Sequence, residues 1–147
     1  MHTKEGETQM KKTVMAIVAG FVVQLVGLVL IHAILLKKDY VETASLWRAQ
    51  GDQLARVWAM LLAILIYVVG AVWIYVSGVE QKPWMGQGIR FGILLALVVV
   101  VYSSLSAWVI LPIPHMLAVK WIISESVLSM VFGLVVAGIC QPKEVHS

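Results

Sequence analysis

Four apolar runs alternate with short polar stretches along the chain: residues 14–36, about 57–76, 89–111 and about 117–139. Each is close to the roughly 20 residues an α-helix needs to cross a hydrocarbon core. No water reaches backbone N–H and C=O groups inside lipid, so each run has to be helical. The pattern predicts an all-α integral membrane four-helix bundle over residues 14–139, with a polar amino-terminal tail (1–13) and a carboxy-terminal tail (140–147). The first run is too long for a signal-peptide core and lacks a small-residue cleavage site, so it is expected to remain as a span.

The connections differ in kind. The first, KKDYVETASLWRAQGDQ, predicts a short interfacial helix between spans one and two. Asp39 suits its N-cap, with Glu42 in the capping-box position three residues on. Gly51 suits its stop, and Tyr40, Ala44 and Trp47 fall on one face. The second connection, SGVEQKPWMGQG, reads as a plain connector. In the third, Pro112 and Pro114 forbid a continuous helix from span three into span four. Tryptophan placement fits two interfacial belts. Trp47, Trp58, Trp108 and Trp121 fall toward the end bearing loops one and three, and Trp73 and Trp84 toward the other.

Each span also carries small residues at helical spacing, which allow helix backbones to approach closely. They are Ala16, Gly20 and Gly27, with Gln24 among them, in span one; Ala59, Ala63 and Gly70 in span two; Gly88, Gly92, Ala96, Ser103 and Ala107 in span three; and Ser126, Ser129, Gly133 and Ala137 in span four. Such stripes serve packing within the chain or between copies of it.

Composition agrees with a lipid-covered chain. Of 147 residues, 61% are hydrophobic and 13% charged, where a soluble domain averages about 25% charged. The net charge of +3 is spread over flanks and loops, without the clustered basic face that nucleic acid requires, so no nucleic-acid partner is expected. Six of the eleven Lys and Arg residues lie on the side of the tails and loop two. That places both tails on the cytoplasmic side by a narrow margin. Cys140 has no second cysteine to pair with, and an incidental thiol is the expectation over palmitoylation or redox chemistry.

The candidate chemistry is a polar layer beneath one membrane face. Because the spans alternate in direction, the end of span one, the start of span two, the end of span three and the start of span four share that face. His32, Ser103, Lys120 and Glu125 form the candidate cluster, with Trp47, Arg48 and Trp121 as candidate interface residues. Lys120 and Arg56 can snorkel to the headgroups. Glu125, about 12 Å deep at 1.5 Å per residue, cannot, so it must be neutral, partnered or hydrated. His32 across the helix gap or Lys120 could partner it, with Ser129 a further neighbour. Haem ligation by His32 and His115, and zinc ligation, lack any supporting spacing. The segment GQGIRFG lacks the strand and spacing of a phosphate loop. No cofactor or metal is expected.

Three segments, IHAILLKKDYVETASLWR, GQGIRFGILLAL and YSSLSAWVILPIPHMLAVKWII, are similar to those of a family of uncharacterised small four-span bacterial inner-membrane proteins. The resemblance covers most of the chain after residue 14. It implies a bacterial inner membrane and puts His32, Trp47, Arg48, Pro112, Pro114 and Trp121 at pattern positions toward one face. His115 stands where that pattern has tyrosine, which argues against a ligand role for it.

Three functional readings follow in order. The first is a non-enzymatic structural or interaction protein, partnered by membrane lipids, another membrane protein or its own copies. The second is a small proton-coupled transporter or permeation unit using His32 and Glu125. The third is a membrane-embedded enzyme acting on lipid or quinone at the loop-one face.

Overall fold

The computed structural model describes residues 2–141. The last six positions of the expected carboxy-terminal tail, Lys143 included, lie outside the described residues. Helix α1 (His2–Val29) runs on through a π-helical turn, Leu30–Leu35, to complete the first span. Loop one holds α2 (Lys37–Glu42), a 3-10 turn (Ala44–Leu46) and α3 (Gln50–Leu54). Helix α4 (Val57–Ser77) is the second span. The third is α5 (Trp84–Leu95), a π-helical turn (Ala96–Val101) and α6 (Tyr102–Ile110). Helix α7 (His115–Cys140) is the fourth. No strand occurs among the described residues, and all four helical spans are long and apolar enough to cross a membrane. The protein is an all-α, multi-pass membrane four-helix bundle.

Span four is the hub. A third (33%) of its apolar window is buried by the rest of the chain, against 22% in each of the other spans. Spans three and one both pack on it, and span two packs chiefly on span one. The remaining apolar surface faces outward. Trp73, Val109 and Ile110 are each more than 70% exposed in the protein alone, as lipid-facing side chains should be.

The tightest packing uses the small-residue stripes of spans three and four. A methyl group on Gly88 would lie 2.9 Å from the Gly133 carbonyl oxygen, and one on Gly92 would lie 2.5 Å from Met130 Cα and 2.6 Å from Ser129 O. Glycine is required at Gly92 because two backbones meet there. These stripes are therefore occupied within the chain. By contrast, Gly70 of span two has open space beside it.

The sequence pattern and the structure part company at two π-helical turns and in loop one. A straight helix continued from Gly92 would carry Ser103 onto the inner face. The turn at Ala96–Val101 accommodates one extra residue per turn, so Ser104 is buried instead and Ser103 is exposed. The turn at Leu30–Leu35 closes with Leu36 N–H donating to Ile31 O at 2.8 Å. Five residues span about 140° of an α-helix, yet Ile31 and Leu36 both join the buried cluster that includes Ile113, Leu117 and Trp121.

In loop one, Asp39 is not an N-cap. The backbone stays hydrogen-bonded through the junction, with Tyr40 N–H donating to Leu36 O. Asp39 therefore sits inside the first turn, and no side-chain cap is made. The helix ends at Thr43, whose hydroxyl donates back to Asp39 O at 2.7 Å, a bond that competes with helical continuation. Gly51 lies within α3 rather than at a stop. Two short helices thus replace the single one expected.

The expected amino-terminal tail is helical from His2 and extends span one. Lys11 pairs with Glu7 at 2.6 Å along it, and Lys12 Nζ donates to Gln141 O at 2.6 Å. Loop two is more than a connector. Gln87 accepts from Glu80 N–H and donates to the carbonyls of Glu80 and Lys82, which folds the loop onto the start of α5.

Candidate functional site

The site forms where α2 of loop one lies over the ends of spans one and four. The π-helical turn carries His32, α2 carries Asp39 and Tyr40, and α7 carries Lys120, Trp121 and Glu125. Across the gap between spans one and four, His32 Nε2 stands 3.3 Å from Glu125 Oε1. On its other side, His32 Nδ1 is 2.6 Å from the Tyr40 hydroxyl. That hydroxyl also accepts from Trp121 Nε1–H at 2.8 Å.

Donor and acceptor counting limits the protonation states of this chain. The indole N–H can only donate. With His32 neutral, the phenol's single proton goes to Nδ1 and Nε2–H points at Glu125. With His32 charged, both ring N–H groups donate and the phenol oxygen accepts twice. The heavy-atom contacts fit both forms, but with His32 charged the phenol O–H loses Nδ1 as its acceptor and has to turn toward the cleft that Tyr40 lines.

Tyr40 lies outside the spans, and its pKa is pushed up to about 12, chiefly by burial and further by the charges of Glu125 and Asp39, while the Trp121 hydrogen bond pulls it down. It therefore stays a neutral phenol at physiological pH. A raised folded-state pKa stabilises fully below the unfolded value of about 10 and is lost as pH rises through about 12. We expect the absorbance difference between the parent and Tyr40→Phe to show a phenolate appearing near pH 12. We also expect the parent's stability advantage over that variant to shrink between about pH 10 and 12. A difference spectrum with its midpoint at about 10 would contradict the burial argument.

Aromatic packing holds the chain in place. Tyr40 and Trp47 meet edge-on with ring centroids 5.3 Å apart, and Trp47 and Trp121 lie 6.2 Å apart. Trp47 Nε1–H donates to Thr43 Oγ1 at 2.9 Å. At the rim, Lys120 Nζ pairs with Asp39 Oδ1 at 2.5 Å. With Lys120 45% exposed, such a pair is worth at most about 1 kcal/mol, so it orients α2 more than it stabilises the fold.

Two spaces flank the His32–Glu125 pair. One is an interfacial cleft of about 930 Å³ lined by His32, Tyr40, Trp47, Arg48, Gln53 and Leu111 among others. The other, the inner cavity, is an open-sided space of about 240 Å³ at the level of Glu125, with walls from all four spans, lined by Glu125, Gln24, Tyr67 and Ser129 together with apolar side chains that include the exposed Ala63 and Val99. His32 lines the first and Glu125 the second.

Of the residues singled out from sequence, His32, Glu125, Trp47 and Trp121 come together as one unit. Lys120 joins it at the rim through Asp39 rather than through Glu125. Ser103 does not join, since its hydroxyl donates to Val100 O at 3.1 Å. Arg48 lines the cleft without an ion pair among the described residues. Tyr40 binds both His32 and Trp121, whereas the sequence pattern places it only on a helix face. Its i+8 relation to His32 depends on the π-helical turn and is invisible to α-helical spacing. His115 is exposed at the start of α7, and no group of three metal-ligating side chains gathers among the described residues. Cys140 is buried.

Compared with protein-family models, curated proteins and solved structures, the chain matches none.

Proposed function

We propose that the protein is a non-enzymatic, proton-coupled permeation or transport unit built on the His32–Glu125 pair. The observation that carries this reading is that the pair bridges two spaces: His32 lines the interfacial cleft, Glu125 lines the inner cavity, and 3.3 Å separates their facing atoms. Ionisable groups at membrane depth are costly, and they mark ion and proton pathways. Tyr40 extends the chain of exchangeable protons to the cleft.

The test is proton flux into proteoliposomes under an imposed potassium diffusion potential, read by an internal pH dye. Parent protein is expected to exceed empty vesicles, and Glu125→Gln to match them. Parent flux equal to that of empty vesicles sinks this reading.

We place the protein in a bacterial inner membrane with both ends of the chain on the cytoplasmic side. The family resemblance and the six-to-five distribution of Lys and Arg support that placement. Labelling of single cysteines at positions 9 and 50 is expected to report opposite sides of the bilayer.

A second reading, association with a partner or with another copy, is favoured by span two. It packs mainly on span one, and Ala59, Ala63 and Gly70 stay exposed along it. Native mass spectrometry from mild detergent separates the two readings. A uniform monomer that still conducts protons leaves only the first.

A further inference from the structure

The inner cavity contains a polar group the proton pathway does not use. Gln24, near the middle of span one, is 6% exposed, yet its side-chain amide has no hydrogen-bond partner among the described residues. It lines the cavity beside Glu125, Ser129 and Tyr67. The amide reaches the open space of the cavity, since among the described residues only the Tyr75 hydroxyl is a fully buried side-chain polar atom without a partner, so it is free to bind a molecule that enters. Glu125 also lines the cavity, with its carboxylate facing His32 and its side chain 23% exposed.

We propose that this cavity is a binding site for a small primary or secondary ammonium compound with an apolar body. The proposal rests on the permeation reading and names its substrate class. The cavity offers acceptors, namely Gln24 Oε1 and the Glu125 carboxylate, with Ser129 already hydrogen-bonded to Tyr67, and an ammonium brings N–H donors and no acceptor. No Lys, Arg or His lines it, so the one competing cation at the carboxylate is His32 in its protonated form, on the far side of Glu125. The Tyr67 ring, 5.8 Å from Phe132, adds an aromatic face suited to a cation. Val99 and Leu128 supply apolar wall. The volume of about 240 Å³ equals the space of about eight waters, enough for one small amine. Spans two and three pack little on each other, which leaves a lateral route from lipid.

The test is saturable binding of tritiated benzylammonium to the full chain in nanodiscs, with empty nanodiscs subtracted and benzyl alcohol as the uncharged competitor. Parent protein should bind benzylammonium saturably, and benzyl alcohol should not displace it. Gln24→Leu and Glu125→Gln should each raise Kd at least about tenfold, as expected when a hydrogen bond to a charged group is lost. Gln24→Leu removes an unpartnered amide, so its Tm should equal or exceed that of the parent, and lost binding cannot then be blamed on misfolding. Absence of saturable binding to the parent, as for a cavity that holds water alone, overturns the proposal. So does parent-like affinity in Gln24→Leu. Binding without proton flux keeps the site and sinks the permeation reading; flux without binding does the reverse.

Discussion

Gly92→Val is expected to separate spans three and four and to lower the Tm of the detergent-solubilised protein by about 10 °C or more. The side chain would have to enter a space where even a methyl group lies 2.5 Å from Met130 Cα and 2.6 Å from Ser129 O. Both obstacles are backbone, so no rotamer change relieves them. Overpacking typically costs about 1–3 kcal/mol when side chains can adjust, and more is expected where a helix must move. At this chain length each kcal/mol corresponds to a few degrees in Tm. Displacing α5 from α7 also moves Ser129 and the inner cavity, so ligand binding should fall with stability. Gly70→Ala is the matched control. Open space surrounds Gly70, and alanine there should be neutral or stabilising by up to about 1 kcal/mol through helix propensity. A thermal-shift series on the two variants checks both signs. Equal loss at both positions would mean that the approach of spans three and four is not what the glycines serve.

Those glycines were legible in the sequence because four-residue spacing along an uninterrupted α5 maps directly onto one face. The four spans were legible for a similar reason, since length and hydropathy are local properties. The His32–Glu125 contact was one of two partnerships open to Glu125 in the sequence: alternating helix direction puts His32 and Lys120 toward the same face as Glu125, and a carboxylate at that depth needs a partner or water. What resisted reading was anything downstream of a π-helical turn. One inserted residue moved the inner face from Ser103 to Ser104, and another brought Tyr40 over His32. Periodicity arguments assume an unbroken 3.6-residue repeat, and the apolar runs LIHAIL and ALVVVV give no local sign of departing from it. In loop one a short helix does form, but its ends differ from the sequence pattern for another reason. Asp39 and Glu42 satisfy the capping pattern, but capping needs unsatisfied N–H groups, and the preceding turn leaves no such end there. The sequence pattern puts Gln24 on a small-residue face, and only the three-dimensional cavity reveals what its amide faces.

The second large effect lies at Glu125, where charge and shape can be changed separately. Glu125→Gln keeps an oxygen toward His32 Nε2 and nearly the same volume. Its stability is expected to stay within about 1 kcal/mol of the parent, the net worth of one hydrogen bond. Proton flux should nevertheless fall to that of empty vesicles, because an amide cannot take up and release the proton that a carboxylate can. Glu125→Leu removes the acceptor as well. His32 Nε2–H would then face an apolar side chain, at a cost of about 1–3 kcal/mol for an unsatisfied donor. The lower half of that range is expected, since His32 is 33% exposed and can find water in the interfacial cleft. A working pair therefore gives a split result: both variants silent in flux, only leucine destabilised. A purely structural pair gives leucine destabilised and glutamine with unaltered flux. If neither property moved in either variant, the 3.3 Å contact would contribute to neither folding nor conduction. The decisive measurement is paired flux and thermal unfolding on the same preparations, because flux lost through unfolding would appear in both.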